Sequence, residues 1–479
     1  MLLRCNDLCR EDTAVMLLLP ELYMILLAIT FLLISVKKRR ENIALCAQLL
    51  SVLGVVISLS SLMFKGELFY GAYRVDIFSQ IFKVLLAAGF SLVILMMGSK
   101  DEIEHDYLAE FYMFLSFSTL GLMMLVSSVE LISIVLSLEI SSYSLYVILP
   151  LRRAQTRVQI EASMKYLFFG AISSGIMLYG MGYLYGICHS TFLTDIIKVL
   201  PKFLNQPIGI FAIVLTLTGF LFKLSLFPFH FWSPDIYEGA SHTTTTFIAT
   251  IPKVAAAALL IRITTMAYLA PPALVQILMV LAALSMTFGN LVGLVQKDIK
   301  RLLAYSGIAH AGYIMMGILA FNREGNLSVV YYITIYLFMN LACLYTVILL
   351  SRDGENVTLD GLVGLSKRSP LLAFTLAVSA FSLAGIPPTG GFTGKLYLFI
   401  SAFREGYLTI VIIGAVNTVI SIFYYLNLVR MSYSKESDTV IPLKLSGVAK
   451  ILCLILIFFM LAMGVIPSSF MGLFKHMVF

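Results

Sequence analysis

The chain has 479 residues, of which 60% are hydrophobic and 12% are charged. Soluble domains carry about 25% charged residues, so this composition excludes a soluble globular protein and predicts an all-α integral membrane protein. The net charge of +7 does not indicate nucleic-acid binding, because the basic residues lie in short loops between apolar runs.

Residues 1–15 are polar and lack the order of a signal peptide, in which a basic region precedes an apolar one. The first apolar run begins at Met16, which is therefore an alternative start to Met1. The six cysteines are scattered, and Cys5 and Cys9 form the one close pair. We therefore expect neither a metal site nor a disulfide framework.

Apolar runs predict about 14 transmembrane helices, since each run is long enough to cross a bilayer. No stretch shows the alternating pattern of a membrane β-barrel. We number the runs as spans 1 to 14, and they lie near residues 16–36, 43–64, 77–98, 108–127, 129–149, 163–187, 207–232, 242–264, 272–295, 302–320, 327–350, 370–403, 407–430 and 447–468.

Loop charge predicts the orientation of the chain. If the N-terminus lies outside, most basic residues fall in inner loops, among them 37–42, 150–160 and 351–369. Inner loops are rich in Lys and Arg, so both termini are expected outside, on the periplasmic face of a bacterial inner membrane. The sequence does not separate bacterial from organellar membranes.

Ionisable residues interrupt several spans, and they mark functional sites by default because a charge in hydrocarbon is costly. Glu139 is central in span 5, and Lys165 lies near the start of span 6. Lys223, Lys253 and Lys395 lie in spans 7, 8 and 12. A lysine in a low dielectric holds its proton less tightly, and a nearby carboxylate opposes this. Moving the carboxylate would therefore release or restore the proton.

Span 7 contains the stretch 219–239, in which Lys223 is followed by Pro228, His230 and Pro234. Prolines interrupt helical hydrogen bonding, and a broken helix at membrane depth requires cover by protein or a water-filled cavity. Histidine can shuttle protons. These residues together predict a hydrated path through the membrane.

A short internal repeat accompanies a second proline-bearing span. The pattern G-F-x-x-K-L occurs at 219–224 and again at 391–396, just after Pro387 and Pro388. A five-span unit used twice explains two such spans, and an odd number inverts the second copy, as in many transporters. The predicted units are residues 1–107 (spans 1–3), 108–264 (spans 4–8), 272–430 (spans 9–13) and 447–479 (span 14).

Other interpretations of these residues stay open. Lys83 and Lys165 could extend along a helix to the membrane surface. Glu139 could form a static buried ion pair, although such pairs contribute little net stability. His230 and His310 could be hydrogen-bonded core residues.

Four stretches resemble the antiporter-like subunits of proton-pumping NADH:quinone oxidoreductase, respiratory complex I. They are LSLFPFHFWSPDIYEGA at 224–240, IPK at 251–253, KRLLAYSGIAHAGY at 300–313 and SLAGIPPTGGFTGKLYLF at 382–399. Lys395 in place of a glutamate, and a chain that ends soon after span 14, disfavour two of the family's three pumping subunits. The chain departs from the family at SHTTTTF (241–247), where a proline is common.

The resemblance implies roles for individual residues. Glu139 would pair with Lys223, and His230 would bridge from Lys223 towards Lys253. Lys395 would lead towards the outside, while Lys165 and His310 match family positions with less defined roles.

The resemblance also implies that this chain carries no redox centre. FMN, iron–sulfur clusters and quinone would belong to partner subunits, and the partners would be neighbouring membrane subunits and a peripheral redox arm. The expected function is a proton-translocating subunit of such an enzyme. One alternative is a subunit of a multisubunit cation/proton antiporter. A purely structural subunit is disfavoured, because a scaffold gains nothing from desolvating three lysines.

Overall fold

A computed structural model describes residues 15–37, 42–97, 102–153, 157–204, 206–266, 272–351, 354–434 and 442–478. Cys5, Cys9 and parts of the three basic loops lie outside these ranges. Within them, 12 helices are long and apolar enough to cross a membrane. The prediction of an all-α membrane protein is supported, and the count of 14 spans stays a prediction.

The helices follow the predicted spans closely. Their bounds are α1 Leu19–Val36, α2 Ile43–Ser60, α3 Ile77–Met97, α4 Leu108–Ser127, α5 Leu131–Ile148, α6 Arg157–Cys188, α7 Leu193–Val199, α8 Pro207–Leu224, α9 Trp232–Gly239, α10 His242–Met266, α11 Pro272–Gly293, α12 Ile299–Ile318, α13 Arg323–Leu350, α14 Leu365–Arg368, α15 Pro370–Ala384, α16 Gly390–Arg404, α17 Leu408–Tyr433, α18 Gly447–Val465 and α19 Pro467–Val478. An antiparallel hairpin, β1 Gly66–Leu68 and β2 Tyr73–Val75, precedes α3.

Three helices account for the difference between the 12 membrane-crossing helices of the structure and the 14 predicted spans. Helix α12 has 20 residues but includes Lys300, Arg301 and His310, which lower its apolar character. Span 12 is divided into α15 and α16, each of 15 residues. Neither half alone reaches the length of about 20 residues that a bilayer requires.

Two helix ends share the same local geometry. Ser225 follows α8 with φ 60°, and Gly385 follows α15 with φ 84°; each donates its N–H to carbonyls three and four residues back. This left-handed cap ends a helix. Three residues later come Pro228 and Pro388, each preceded by a cis peptide bond.

The two caps give a different spacing between the repeats from the one that the sequence motif indicated. Ser225 and Gly385 are 160 residues apart, as are Pro228 and Pro388, whereas the G-F-x-x-K-L copies are 172 apart. Lys223 consequently lies in the helix before its interruption and Lys395 in the helix after. The two lysines are not equivalent positions, and the motif match was the wrong register.

Pro234 does not belong to an interruption. It is the third residue of α9, where a proline is tolerated because the first helical N–H groups have no intrahelical partner. The carbonyl of His230 accepts a hydrogen bond from Ser233 at 3.0 Å. The predicted break at this proline is therefore wrong, and the non-helical segment ends at Phe231.

The centre of the bundle is formed by α10 and α13, which are buried over nearly their whole length. A helix that is apolar on all sides is expected in a core, and small residues such as Ala255–Ala258 in α10 allow neighbours to approach closely. Gly89 in α3 packs against Ile251 in this way. Lys253 is therefore presented at the centre of the protein.

Lys83 is not directed to the membrane surface. Its Nζ lies 2.7 Å from Glu21 in α1, both side chains are buried, and Tyr73 also donates to Glu21 at 2.7 Å. The snorkelling interpretation is thus wrong for this lysine.

A second ion pair joins α10 to the start of α3. Both NH groups of Arg262 donate to Asp76 at 2.9 Å. Burial favours the neutral acid, but the Arg262 guanidinium and hydrogen bonds from Ser79 outweigh it and hold the pKa of Asp76 below its usual value.

Candidate functional site

We refer to five of the ionisable side chains that are buried inside the bundle as the lysine row. Lys223, Lys253 and Lys395 lie on α8, α10 and α16, His310 lies on α12, and His230 lies in the segment between α8 and α9; each is at most 4% exposed. Charged groups are this deeply buried only at a cost, so the row is the candidate site.

Lys223 and Glu139 form no direct hydrogen bond. The Lys223 Nζ and the Glu139 Oε1 are both buried without a hydrogen-bond partner, although Glu139 is the acidic group whose charge acts on Lys223. The ammonium lies 5.8 Å from the centre of the Tyr166 ring, close enough for a cation–π contact. The predicted ion pair is therefore not closed in this conformation.

His230 is enclosed by phenylalanine rings. Ring centroids lie 5.3 Å from Phe227, 4.3 Å from Phe231 and 4.8 Å from Phe288. Neither ring nitrogen has a hydrogen-bond partner among the described residues. The role of His230, as a core residue or as a bridge to Lys253, stays a prediction.

Lys253 is held by the backbone of α12. Its Nζ donates to the Gly307 carbonyl at 3.3 Å and lies 5.8 Å from the centre of the Tyr336 ring. A Cβ at position 307 would lie 2.8 Å from this nitrogen. Glycine therefore makes the close approach possible.

Gly307→Ala is expected to displace the Lys253 ammonium and to lower transport by the assembled protein several-fold. A helical alanine is otherwise more favourable than glycine, so folding should not suffer from the helix itself. Gly182→Ala is the matched control, because a Cβ there meets nothing within 4 Å. Proton uptake in membrane vesicles measures both; equal uptake by the two variants would contradict the role assigned to this contact.

His310 lies between Lys253 and Lys395. Its Nδ1 bonds the Tyr332 hydroxyl, and its Nε2 lies 3.0 Å from the Tyr425 hydroxyl. Its ring centroid is 5.4 Å from Tyr336, which lies under Lys253, and 6.1 Å from Tyr313.

Tyr313 extends this arrangement to the third lysine. Its ring centroid is 4.9 Å from the Lys395 ammonium, and its hydroxyl lies 3.1 Å from that of Thr418. The His310 ring thus lies near one tyrosine that contacts Lys253 and one that contacts Lys395, while its two nitrogens bond the hydroxyls of two other tyrosines.

Lys395 closes the end of a helix. Its Nζ donates to the carbonyls of Leu383 at 2.9 Å and Ala384 at 3.0 Å, the last two residues of α15. Terminal carbonyls lack intrahelical partners and carry partial negative charge. No acidic side chain is needed to hold this ammonium.

Lys165 stands apart from the row. Its side chain is 35% exposed and forms ion pairs with Glu161 at 2.7 Å and Asp235 at 2.6 Å. Asp235 in turn binds Arg301 at 2.9 Å. These contacts form a partly exposed charged cluster at the end of α9, where single pairs add little stability.

Sequence reasoning missed the tyrosines. It assigned them no role, yet Tyr313, Tyr332, Tyr336 and Tyr425 contact the lysines or His310. The available signal was the clustering of tyrosines in spans 11 and 13, namely Tyr331, Tyr332, Tyr336, Tyr424 and Tyr425; Tyr313 in span 10 stands outside that cluster. Among the described residues, no group of three or more His, Cys, Asp or Glu could hold a metal ion.

The sequence matches a known protein family over more than half of its length. The family model described as NADH:quinone oxidoreductase/Mrp antiporter, TM, matches residues 127–421. The chain is 42% identical over 454 residues to a protein of Opitutus terrae and 43% identical over 455 residues to one of Syntrophobacter fumaroxidans. Both are named NADH-quinone oxidoreductase subunit N 2. The first alignment covers 94% of this chain and 95% of the relative, and the second covers 94% and 96%.

Solved structures agree in fold. A chain of respiratory complex I from Thermus thermophilus superposes with TM-score 0.81 at 29% identity, covering 95% of this chain and 98% of that one. A chain of the Mrp complex from Dietzia superposes with TM-score 0.85 at 18% identity, covering 97% of both; at that identity the likeness concerns the fold alone.

Proposed function

The chain belongs to the NADH:quinone oxidoreductase/Mrp antiporter membrane-subunit family, with relatives named subunit N of NADH-quinone oxidoreductase, and from this premise we propose its function. It is a proton-translocating membrane-arm subunit of an NADH:quinone oxidoreductase. The observation that carries the proposal is the burial of Lys223, Lys253, His310 and Lys395 inside the bundle. The His310 ring also lies near Tyr336, which contacts Lys253, and near Tyr313, which contacts Lys395.

Proton movement along the row follows from charge. With Glu139 near, the Lys223 ammonium is stabilised; with Glu139 distant or neutral, burial dominates and the proton leaves. His230 and water would carry it to Lys253, and His310 with its tyrosine partners would carry it on to Lys395. In this structure Glu139 and Lys223 are not hydrogen-bonded to each other, as the scheme requires of the state in which the proton leaves.

The chain acts in this scheme as a non-redox subunit. Flavin, iron–sulfur clusters and quinone belong to partner subunits, and the energy of quinone reduction reaches this chain through neighbouring membrane subunits. The chain itself supplies lysines, histidines and a carboxylate that hold and release protons.

The finer architecture is part of the proposal. Fourteen spans contain two inverted five-helix repeats, spans 4–8 and 9–13, with spans 7 and 12 interrupted. The matching caps at Ser225 and Gly385 support the repeat, now at the 160-residue spacing. The membrane is a bacterial inner membrane with both termini on the periplasmic side.

This orientation predicts which surface residues a membrane-impermeant thiol reagent reaches. Lys202 and Lys367 are both exposed and lie on opposite faces in the proposed topology. In a chain whose six native cysteines are replaced by serine, Lys202→Cys should label in sealed right-side-out cells and Lys367→Cys should not. The reverse labelling pattern would show that the orientation is inverted.

A cation/proton antiporter subunit is the second candidate, favoured by the shared fold with the Mrp chain. The deciding experiment is purification of the native complex through a tag on this chain. The proposal expects a flavin and iron–sulfur arm to co-purify and NADH to drive proton uptake. Sodium transport by a complex without any NADH-oxidising partner would overturn it in favour of the antiporter.

A further inference from the structure

A large apolar cavity lies beside the lysine row. Its volume is about 650 Å³, within the usual range for ligand pockets. Helices α5, α6, α8, α10, α11 and α12 form its walls, and the segment 193–204 lies across one end. The lining side chains are almost all aliphatic.

Two of the three threonine hydroxyls in the wall are already bonded. The Thr216 hydroxyl donates to the carbonyl of Ala212 at 2.8 Å, and the Thr264 hydroxyl donates to that of Ile261 at 2.9 Å. Deep in the cavity the described wall therefore offers a ligand hydrocarbon contacts. A quinone ring, whose carbonyls require donors, fits this wall poorly, whereas an acyl chain fits it well.

The cavity lies between the lysines and one membrane surface. Phe220 in its wall is three residues before Lys223, and Leu260 is seven residues after Lys253. Residues three or seven apart share a helix face. The cavity thus continues the same faces that carry the two lysines, towards the surface where α7 lies.

The exposed end of the wall is cationic. Lys198 lines the cavity with a side chain that is 75% exposed, and its ion pair with Asp195 is long, at 3.6 Å. Lys202 is exposed on the same short segment. An anionic headgroup would be complementary to these ammonium groups, and its acyl chain would point inwards.

We propose that this cavity binds an acyl chain of an anionic phospholipid, which seals the space between the lysine row and that membrane surface against water. An apolar cavity of about 150 Å³ can stay dry when empty, but this one is several times larger and lies beside buried charges. Hydrocarbon in it would deny protons a short cut from Lys223 or Lys253 and keep them on the row to Lys395. The sealing role rests on the proposed function; the binding site does not.

Photo-crosslinking tests the binding site. The complete complex is reconstituted with a phosphatidylglycerol that carries a diazirine in its acyl chain, and cross-linked residues are mapped by mass spectrometry. We expect labelling of buried Leu278 and Met315 in the cavity. Val280, two residues from Leu278 and 56% exposed, is the control for the outer lipid surface. Labelling of Val280 without Leu278 or Met315 would overturn the proposal.

Two comparisons sharpen this test. A phosphatidylcholine with the same diazirine should label Leu278 several-fold less, and Lys198→Ala should remove that difference. Leu217→Trp should abolish cavity labelling because the indole occupies the space. Undiminished labelling in the tryptophan variant would contradict the assigned site. Equal labelling by both lipids would contradict the preference for an anionic headgroup.

Passive proton leak tests the seal. It is measured with a pH-sensitive dye in phosphatidylglycerol-containing vesicles without NADH, so it does not depend on turnover. Leu278→Asn should raise the leak several-fold, and Met315→Gln is the second variant if the first fails to assemble. Leu217→Trp should keep the wild-type leak. The sealing role would be overturned if a polar variant assembles, loses the cavity labelling and still shows the wild-type leak. Failure of NADH-driven pumping alone would not overturn it.

Discussion

Lys223→Arg is expected to assemble and yet to lower NADH-driven proton uptake about tenfold or more, equivalent to at least about 1.4 kcal/mol on the transport step. Arginine keeps the positive charge and the contact with the Tyr166 ring, and it also keeps the attraction to Glu139. It is, however, effectively never deprotonated in proteins. A residue that must release its proton cannot be replaced by it.

Two further variants separate the proton-carrying role from a structural one. Lys223→Ala should pump no better than the arginine variant, since both lack a releasable proton. Glu139→Gln should also impair uptake while the subunit stays in the complex, because the neutral amide lacks the negative charge that favours the protonated lysine. Co-purification of the complete complex and dye-monitored uptake in vesicles measure assembly and transport. Wild-type uptake by the arginine variant would contradict the proposed role.

Lys395→Gln is expected to reduce uptake to a similar extent at the far end of the row. The glutamine amide can donate to the α15 carbonyls that Lys395 now binds, so the helix end need not be left with two unsatisfied carbonyls, each costing about 1–3 kcal/mol when buried. It cannot accept a proton from His310. The substitution should therefore lower proton uptake strongly and the stability of the fold only slightly.

Lys450→Gln is the matched control for this substitution, because Lys450 is exposed at the start of α18. Its uptake should equal that of the wild type. Thermal unfolding of both purified complexes reports stability separately from transport. If Lys395→Gln pumps as the Lys450 variant does, then the ammonium serves only as a cap for α15.

The sequence predicted the ionisable residues of the row because a lysine or glutamate within an apolar run is visible without any structure. It also predicted interruptions at Pro228, Pro387 and Pro388; the first lies between α8 and α9, and the other two lie between α15 and α16. It failed for Pro234, because proline is compatible with the first turn of a helix. The sequence alone does not show whether a proline lies inside the first turn of a helix or just before it.

The contacts of the row could not be predicted in the same way. The partners of Lys253 and Lys395 are backbone carbonyls of Gly307, Leu383 and Ala384, and carbonyls are present at every position of every sequence. The open geometry of Glu139 and Lys223 depends on the relative placement of α5 and α8. The alignment of the two repeats was wrong because it relied on matching residue types. The caps at Ser225 and Gly385, which do match, are features of the backbone conformation.

The most direct test of the account is simultaneous measurement of proton uptake and NADH oxidation in vesicles that contain the complete complex with Lys223→Arg. If Lys223 must release its proton, uptake falls about tenfold or more, either because fewer protons move per electron or because blocked proton transfer slows NADH oxidation. Wild-type rates of both processes, at the wild-type proton-to-electron ratio, would show that Lys223 is a fixed charge and that protons do not pass through it.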